Sequence, residues 1–242
     1  MNFKGKTILV TGGTRGIGAA LSLMLAQQGA NLILNYKQDQ ESAKQHLKKI
    51  QTFSGDHLLL QADITSAKQT QRLFNKIQEK YGSLDMLVNN AGSMSTFDDI
   101  ENPEAFSEMV NVNLLGPANV TSQAIRLMDS GKIVFVSSLL AKKGFGNPHA
   151  LGYSTAKAGI ENFAQILARD LAPNILVNCV SPGRTATERV LNSHKEDMTS
   201  FGQRQVLGRL VEPEEIAMAI CHVLQNDGIV GEVISVHGGA LT

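Results

Sequence analysis

The sequence predicts an α/β fold: a doubly wound parallel sheet of about seven strands, covered by helices on both faces, in one domain over residues 1–242. Three observations predict it. Short aliphatic runs recur along the chain, most of them without strict apolar–polar alternation, which suits strands buried on both faces. The stretches between them carry apolar residues at spacings of three or four, the helical period. The connections are short, and no repeat, linker or shift in composition marks a domain boundary.

Thr7–Val10 is the first run, and a glycine-rich turn follows it directly. After the turn, Ala19, Leu23 and Ala26 make an apolar stripe that predicts the first helix. Asn31–Tyr36 and His57–Gln61 read as the second and third strands. Leu73, Ile77 and Tyr81 mark a helix before the fourth run, Leu84–Val88. Lys132–Val136, Ile175–Val180 and Glu232–Val236 complete the set. The six prolines (Pro103, Pro117, Pro148, Pro173, Pro182 and Pro213) fall where loops or helix ends are expected. Between Pro182 and Pro213 no strand is legible, and the polar segment holds Arg184, Arg189, Arg204 and Arg209. It follows a late strand, where open α/β sheets bind ligands, which predicts a substrate loop or lid at about residues 184–211.

Composition narrows the function classes. The chain has 22 Lys plus Arg against 22 Asp plus Glu. A net charge of zero lacks the basic footprint of a general nucleic-acid binder, and it argues against electrostatic attachment to a membrane surface. Cys179 and Cys221 are far apart, with no CxxC pair, so neither a disulfide scaffold nor a structural zinc site is expected. The N-terminal apolar run is too short for a signal-peptide core, and no stretch approaches a membrane span, so the expected location is cytoplasmic.

The turn after the first run reads Thr11-Gly12-Gly13-Thr14-Arg15-Gly16-Ile17-Gly18 and opens a helix. Glycines there let backbone N–H groups approach a phosphate, and the helix N-terminus adds positive partial charge. Gly12, Thr14, Arg15, Gly16, Ile17 and Gly18 are therefore expected to bind a dinucleotide. An acid about 20 residues on would read a ribose 2′-hydroxyl. Here the second strand ends Asn35-Tyr36-Lys37 with no acid, and Asp39 sits where a helix N-cap belongs. Arg15 and Lys37 are two cations suited to a 2′-phosphate, so the expected cofactor is NADP(H), with Asn35, Tyr36 and Lys37 beside it.

Tyr153-Ser154-Thr155-Ala156-Lys157 opens another helical pattern, running toward Leu171. Residues four apart share a helix face, so Tyr153 and Lys157 point the same way. A nearby ammonium stabilises a phenolate, and the expectation is that Lys157 lowers the Tyr153 pKa toward neutrality.

Thr11–Gly18, Asn89-Asn90-Ala91-Gly92, Asn113, Ser138, Tyr153-x-x-x-Lys157 and Pro182-Gly183 occur in that order. Over essentially the whole chain, to the Gly238-Gly239 turn, this set resembles the short-chain dehydrogenase/reductase family. Within that family it is most similar to the 3-oxoacyl-[acyl-carrier-protein] reductases. The resemblance implies a Rossmann-type fold and an NADPH-dependent carbonyl reductase. It implies that Tyr153 protonates the carbonyl oxygen while NADPH delivers hydride to the carbon. Lys157 would hold the nicotinamide ribose and tune Tyr153, Ser138 would polarise the carbonyl, and Asn113 would support a proton-relay water. Asp63 and Ile64 would flank the adenine, and Asn89, Ala91 and Gly92 would line the cofactor cleft. Pro182, Gly183, Thr185 and Thr187 would close over the nicotinamide. Ser137 competes with Ser138, and the family motif selects Ser138.

The resemblance also implies a homotetramer and a small-molecule or thioester substrate, with acyl carrier protein as a candidate partner. The insert arginines suit an acidic carrier or a phosphopantetheine phosphate. The basic residues that carrier-protein reductases keep before the fifth and sixth strands are thin here: Arg126 and Lys132 beside Asp129, then Pro173-Asn174. The Ser138–Tyr153 loop, with Lys142, Lys143, Phe145 and His149, looks about two residues longer than is common in the family. Two alternatives stay open: an NAD(P)-dependent alcohol, sugar or quinone oxidoreductase of the same family, and a nucleotide-binding regulator without turnover.

Overall fold

In the computed structural model, which describes residues 3–95, 97–193 and 205–240, seven strands form one sheet in the order β3-β2-β1-β4-β5-β6-β7. They are β1 (Thr7–Val10), β2 (Asn31–Tyr36), β3 (His57–Gln61), β4 (Met86–Asn89), β5 (Gly131–Val136), β6 (Ile175–Pro182) and β7 (Val233–Val236). Every neighbouring pair is parallel. The strand set is the one the aliphatic runs predict. The differences are at the ends: β4 starts and stops slightly later, and β6 extends to Pro182.

The helices are α1 (Gly16–Gln27), α2 (Gln40–Ile50), α3 (Ala67–Tyr81), α4 (Pro103–Val110), α5 (Gly116–Ala124), α6 (Leu151–Leu171), α7 (Glu188–Ser193) and α8 (Pro213–Gln225). A π-helical turn, Asn111–Leu115, joins α4 to α5. Parallel strands need crossovers, and these helices supply them, packing on both faces of the sheet. On one face Ile8, Val10, Leu32 and Val180 bury against Leu21 and Leu25 of α1 and Ile216 and Ile220 of α8. On the other, Leu9, Ile33, Leu87 and Phe135 bury against Leu73 and Ile77 of α3, Val120 of α5 and Ile160 of α6.

One helical stripe needs correction. The buried face of α1 carries Gly18, Leu21, Ser22, Leu25 and Ala26, with Ala19 and Leu23 at its margin. This helix is apolar nearly all round, so spacing alone does not select its inner face. The prolines behave as expected: Pro103, Pro117 and Pro213 sit in the first turns of α4, α5 and α8, where a missing N–H costs nothing.

Strand order reverses between β1 and β4, and the carboxyl ends of these strands open the crevice where such sheets bind ligands. The 184–211 insert leaves and returns at the carboxyl end of β6. Ala186 donates its N–H to the Val211 carbonyl at 2.8 Å, and Val211 donates to the Arg184 carbonyl at 3.2 Å. Residues 194–204, including Arg204, lie outside the described residues, so the proposed lid is described only at its two ends.

Candidate active site

The glycine turn is held from below by side chains. Ser22 Oγ donates to the carbonyls of Gly13 and Gly18 at 2.9 and 2.7 Å. Asn90 Nδ2 donates to the carbonyls of Thr11 and Gly12 at 3.0 and 3.1 Å. Thr11 Oγ1 accepts from the N–H groups of Asn90 and Ala91, each at 3.0 Å. Gly12 and Gly16 have φ of +61° and +52°, which side chains disfavour. A Cβ on Gly18 would strike the Gly12 carbonyl oxygen and lie 2.6 Å from Asn90 Nδ2. One on Gly16 would lie 3.1 Å from Thr187 Cγ2, so the start of the insert closes on the turn.

Helix α1 begins here with no side-chain cap from Arg15 and no acid in its first turn. An uncapped N-terminus beneath a cradle that only glycine permits fits a pyrophosphate. Thr14 is buried, and Ile17 packs on the core.

At the end of β2 the picture differs from the sequence expectation. Asn35 is buried, its Nδ2 donating to the Ala62 carbonyl at 3.0 Å, so its side chain joins β2 to β3 instead of facing a ligand. Tyr36 is buried too. Lys37 Nζ lies 2.8 Å from Asp63 Oδ2, and Arg15 Nη1 lies 3.7 Å from Asp39 Oδ2. Asp39 also caps α2, accepting from Ser42 N at 3.1 Å. Each expected cation thus has a carboxylate beside it. Both cations are well exposed and only Asp63 is partly buried, so these pairs are weak, about 0–1 kcal/mol, and exchangeable for a phosphate. Ile64 is buried against Gly116, and its carbonyl accepts from Asn119 Nδ2 at 3.1 Å.

Beyond β4 the two asparagines divide. Asn89 is buried and donates to Thr121 Oγ1 at 3.0 Å, joining β4 to α5. Asn90, not Asn89, turns its side chain to the glycine turn. Successive strand side chains point to opposite faces, and this alternation is the signal that distinguishes them.

Tyr153 and Lys157 share one face of α6, as their spacing predicts, with Lys157 Nζ 5.7 Å from the tyrosine ring centroid. Lys157 is buried and donates to the Val136 carbonyl at 2.8 Å. Ser138 follows β5 and its Oγ accepts from Leu140 N at 3.2 Å. Its hydroxyl stands near enough to the Tyr153 phenol to oppose the effect of burial on that group. Ser137 instead lies buried, bonded to the Lys157 carbonyl. Asn113 is fully buried in the π-turn, a local form frequent at functional sites. Its Nδ2 donates to the carbonyls of Ser93 and Met109 at 2.8 and 2.9 Å, and its Oδ1 accepts from Ser93 N. A Cβ on Gly92 would lie 2.8 Å from Asn113 Oδ1 and 3.4 Å from Lys157 Nζ, so glycine keeps these groups together.

The electrostatics correct one expectation. Burial raises the Tyr153 phenol above its ordinary 10, against the opposing Ser138 hydrogen bond and Arg189 charge. Lys157 does not lower it, because burial pushes the Lys157 ammonium itself down to about 8. Arg189 of α7 is therefore an electrostatic neighbour of the Tyr153–Lys157 pair.

On the far side, Gly183 packs against His237, where a Cβ would meet its Cα at 2.7 Å. Pro182 ends β6 and is buried, and Thr185 Oγ1 donates to the Gly183 carbonyl at 3.1 Å. Lys142, on the Ser138–Tyr153 loop, pairs with Glu161 of α6 at 3.3 Å. His149 is exposed on the rim of a cleft of about 590 Å3 that also involves Ile100, Leu151 and Ser154. Among the described residues no group of three or more His, Cys, Asp or Glu could hold a metal, and no helix is long and apolar enough to cross a membrane.

Comparison with known proteins bears on this site. The family model described as short chain dehydrogenase matches residues 6–198. A short-chain dehydrogenase/reductase of Pestalotiopsis microspora is 35% identical, over 98% of this chain and 95% of the relative. A 3-oxoacyl-[acyl-carrier-protein] reductase of Thermotoga maritima is 34% identical, over 99% of both chains. Among solved structures, an angucycline C-6 ketoreductase with bound NADP superposes with a TM-score of 0.90 at 31% identity, covering 98% of this chain and 96% of that one.

Proposed function

The chain belongs to the short-chain dehydrogenase/reductase family, and from that premise we propose that it is an NADPH-dependent carbonyl reductase acting on a 3-oxoacyl thioester to give the 3-hydroxyacyl form. The observation that carries this reading is the convergence of Ser138, Tyr153 and Lys157 at the carboxyl end of β5, beside the cleft opened by the glycine turn. The bound cofactor supplies a hydride. A phenol raised by burial stays protonated at neutral pH, as a proton donor to a developing alkoxide must. Ser138 offers a second hydroxyl to the same oxygen. Lys157, lowered to about 8, stands close to neutrality and can carry a proton toward Tyr153, with Asn113 and the π-turn behind it.

The preference for NADPH rests on Arg15 and Lys37. A 2′-phosphate carries more charge than the single carboxylate each cation now faces, so exchange of partners favours it. The similar proteins include a 3-oxoacyl-[acyl-carrier-protein] reductase and an angucycline C-6 ketoreductase, both named for reducing a ketone. Coenzyme A thioesters suit the chain better than a docked carrier protein. Lys132 is buried and paired with Asp227 at 2.7 Å, which leaves Arg126 as the exposed cation before β5. The family reading extends to assembly as a homotetramer, which light scattering would test.

NADPH oxidation against acetoacetyl-coenzyme A, the matching carrier-protein thioester, a simple β-ketoester, quinones, sugars and ketosteroids tests the substrate class. Turnover of the thioesters above the other compounds is the expected result. Turnover confined to a sugar or quinone would overturn the thioester reading and leave the family.

A further inference from the structure

We infer that Asp98 is the positioning residue for Tyr153, holding the start of α6 from a segment more than 50 residues earlier in the chain. The inference rests on the reading of Tyr153 as proton donor. A helix leaves its first N–H groups without partners, and a Ser, Thr, Asp or Asn at the N-cap normally takes one of them. The N-cap of α6 is Ala150, which has no side-chain acceptor. Asp98 takes all three leading donors instead. Its carbonyl accepts from Leu151 N at 3.0 Å and from Gly152 N at 3.3 Å. Its carboxylate Oδ2 accepts from Tyr153 N at 2.7 Å. The next amide, Ser154 N, already bonds within the helix to the Ala150 carbonyl.

The packing shows that this contact is built in. Asp98 is 0% exposed. Gly152 admits it, since a Cβ there would lie 3.1 Å from Asp98 Oδ2 and 2.8 Å from the Phe106 carbonyl oxygen. The second carboxylate oxygen, Oδ1, is buried without a hydrogen-bond partner among the described residues. Burying a carboxylate in that state is costlier than placing a serine at Ala150, so the remote cap does something a local one does not. It couples the 97–102 segment to the backbone of Tyr153. That segment presents Phe97 and Ile100 to solvent at 74% and 83% exposure, and Ile100 lines the cleft that Leu151 and Ser154 also line. Asp98 thus fixes the backbone from which the phenol projects, and contact of an apolar substrate with Ile100 reaches Tyr153 through the adjoining Asp98 hydrogen bond.

The test uses full-length Asp98→Ala and Asp98→Asn, with Tyr153→Phe as reference and two readouts. The first needs no substrate: amide hydrogen exchange at residues 151–153. Asp98→Ala should accelerate it at least about tenfold, confined to that turn, because an uncapped helix end frays. The second is kcat on acetoacetyl-coenzyme A, or the best ketone of the panel, beside NADPH affinity and binding stoichiometry. Asp98→Ala should lose about tenfold or more in kcat, with affinity within about twofold and one cofactor still bound per chain, since misplacing a catalytic group acts on turnover. Asp98→Asn keeps an acceptor oxygen and should recover most of both readouts. Asp98→Ser, too short to reach the Tyr153 amide, should reproduce the loss if the alanine variant does not fold. Unchanged exchange at residues 151–153, or kcat falling only in step with cofactor stoichiometry, overturns the inference. So does wild-type kcat in Asp98→Ala while Tyr153→Phe is inactive. A fully active Tyr153→Phe instead removes the reading of Tyr153 beneath it.

Discussion

The hydroxyl of Ser137 donates a 3.1 Å hydrogen bond to the main-chain carbonyl of Lys157. The Lys157 ammonium returns a 2.8 Å bond to the carbonyl of Val136, the residue before Ser137. The end of β5 and the first turns of α6 are therefore clamped twice, once through each partner's backbone. Ser137 is committed to this clamp, and Ser138, on the opposite side of the strand end, is the serine that acts on the Tyr153 phenol.

The clamp buries an amine, and the stability of the cofactor-free protein should show it. Burial holds Lys157 down to about 8 from 10.5. Below about pH 8 the folded chain carries the penalty of a buried ammonium. Between that pH and 10.5 the unfolded chain binds more protons than the folded one, so this contribution to stability rises with pH. Cys179 and Cys221, each pushed up to about 12 by burial, act oppositely above pH 9 in both proteins. The Lys157 charge holds Cys179 down, so its loss in Lys157→Met does not bring Cys179 into this pH range. The difference in urea midpoint, wild type minus Lys157→Met, should therefore climb from about pH 7.5 to about pH 9.5. A flat or falling difference contradicts the burial argument.

Cofactor choice should depend on Lys37. Titrating the apo-protein with NADPH and NADH should give tighter binding of NADPH. Lys37→Asp should narrow that preference about tenfold or more, because a carboxylate repels the 2′-phosphate and accepts from a 2′-hydroxyl. Equal affinities in the wild type would contradict the assignment of Arg15 and Lys37.

Gly18→Ala tests the cradle. Its Cβ would press on the Gly12 carbonyl and on Asn90 Nδ2, and overpacking of this kind costs about 1–3 kcal/mol. We expect a lower melting temperature and at least about tenfold weaker NADPH binding, since the displaced turn is the phosphate site. Unchanged affinity by calorimetry would move the phosphate site elsewhere.

The strands, the glycine turn and the shared face of Tyr153 and Lys157 were legible because each depends on local period and turn chemistry. The carboxylates beside Arg15 and Lys37 were not. Asp63 reaches Lys37 across the β2–β3 edge, and Asp39, whose backbone takes the unusual φ of +61°, lies 3.7 Å from Arg15 across the glycine turn. Position at the end of β2 points Asn35 to the cofactor, and the family resemblance points Asn89 there, yet both side chains serve strand and helix joints, since a strand end presents alternate residues to different neighbours. Asp98 carries no local signal, because a cap supplied from a distant segment leaves only the absence of a capping residue at Ala150. The rise of the Tyr153 phenol follows from burial depth, which helix spacing does not report.

Steady-state turnover of Tyr153→Phe, measured beside its NADPH affinity, tests the central claim most directly. The substitution removes one hydroxyl and leaves the ring. The account predicts wild-type cofactor affinity and a loss of at least about 10²-fold in kcat on the best ketone substrate, the scale of a missing general acid. Near-wild-type turnover by this variant would contradict it.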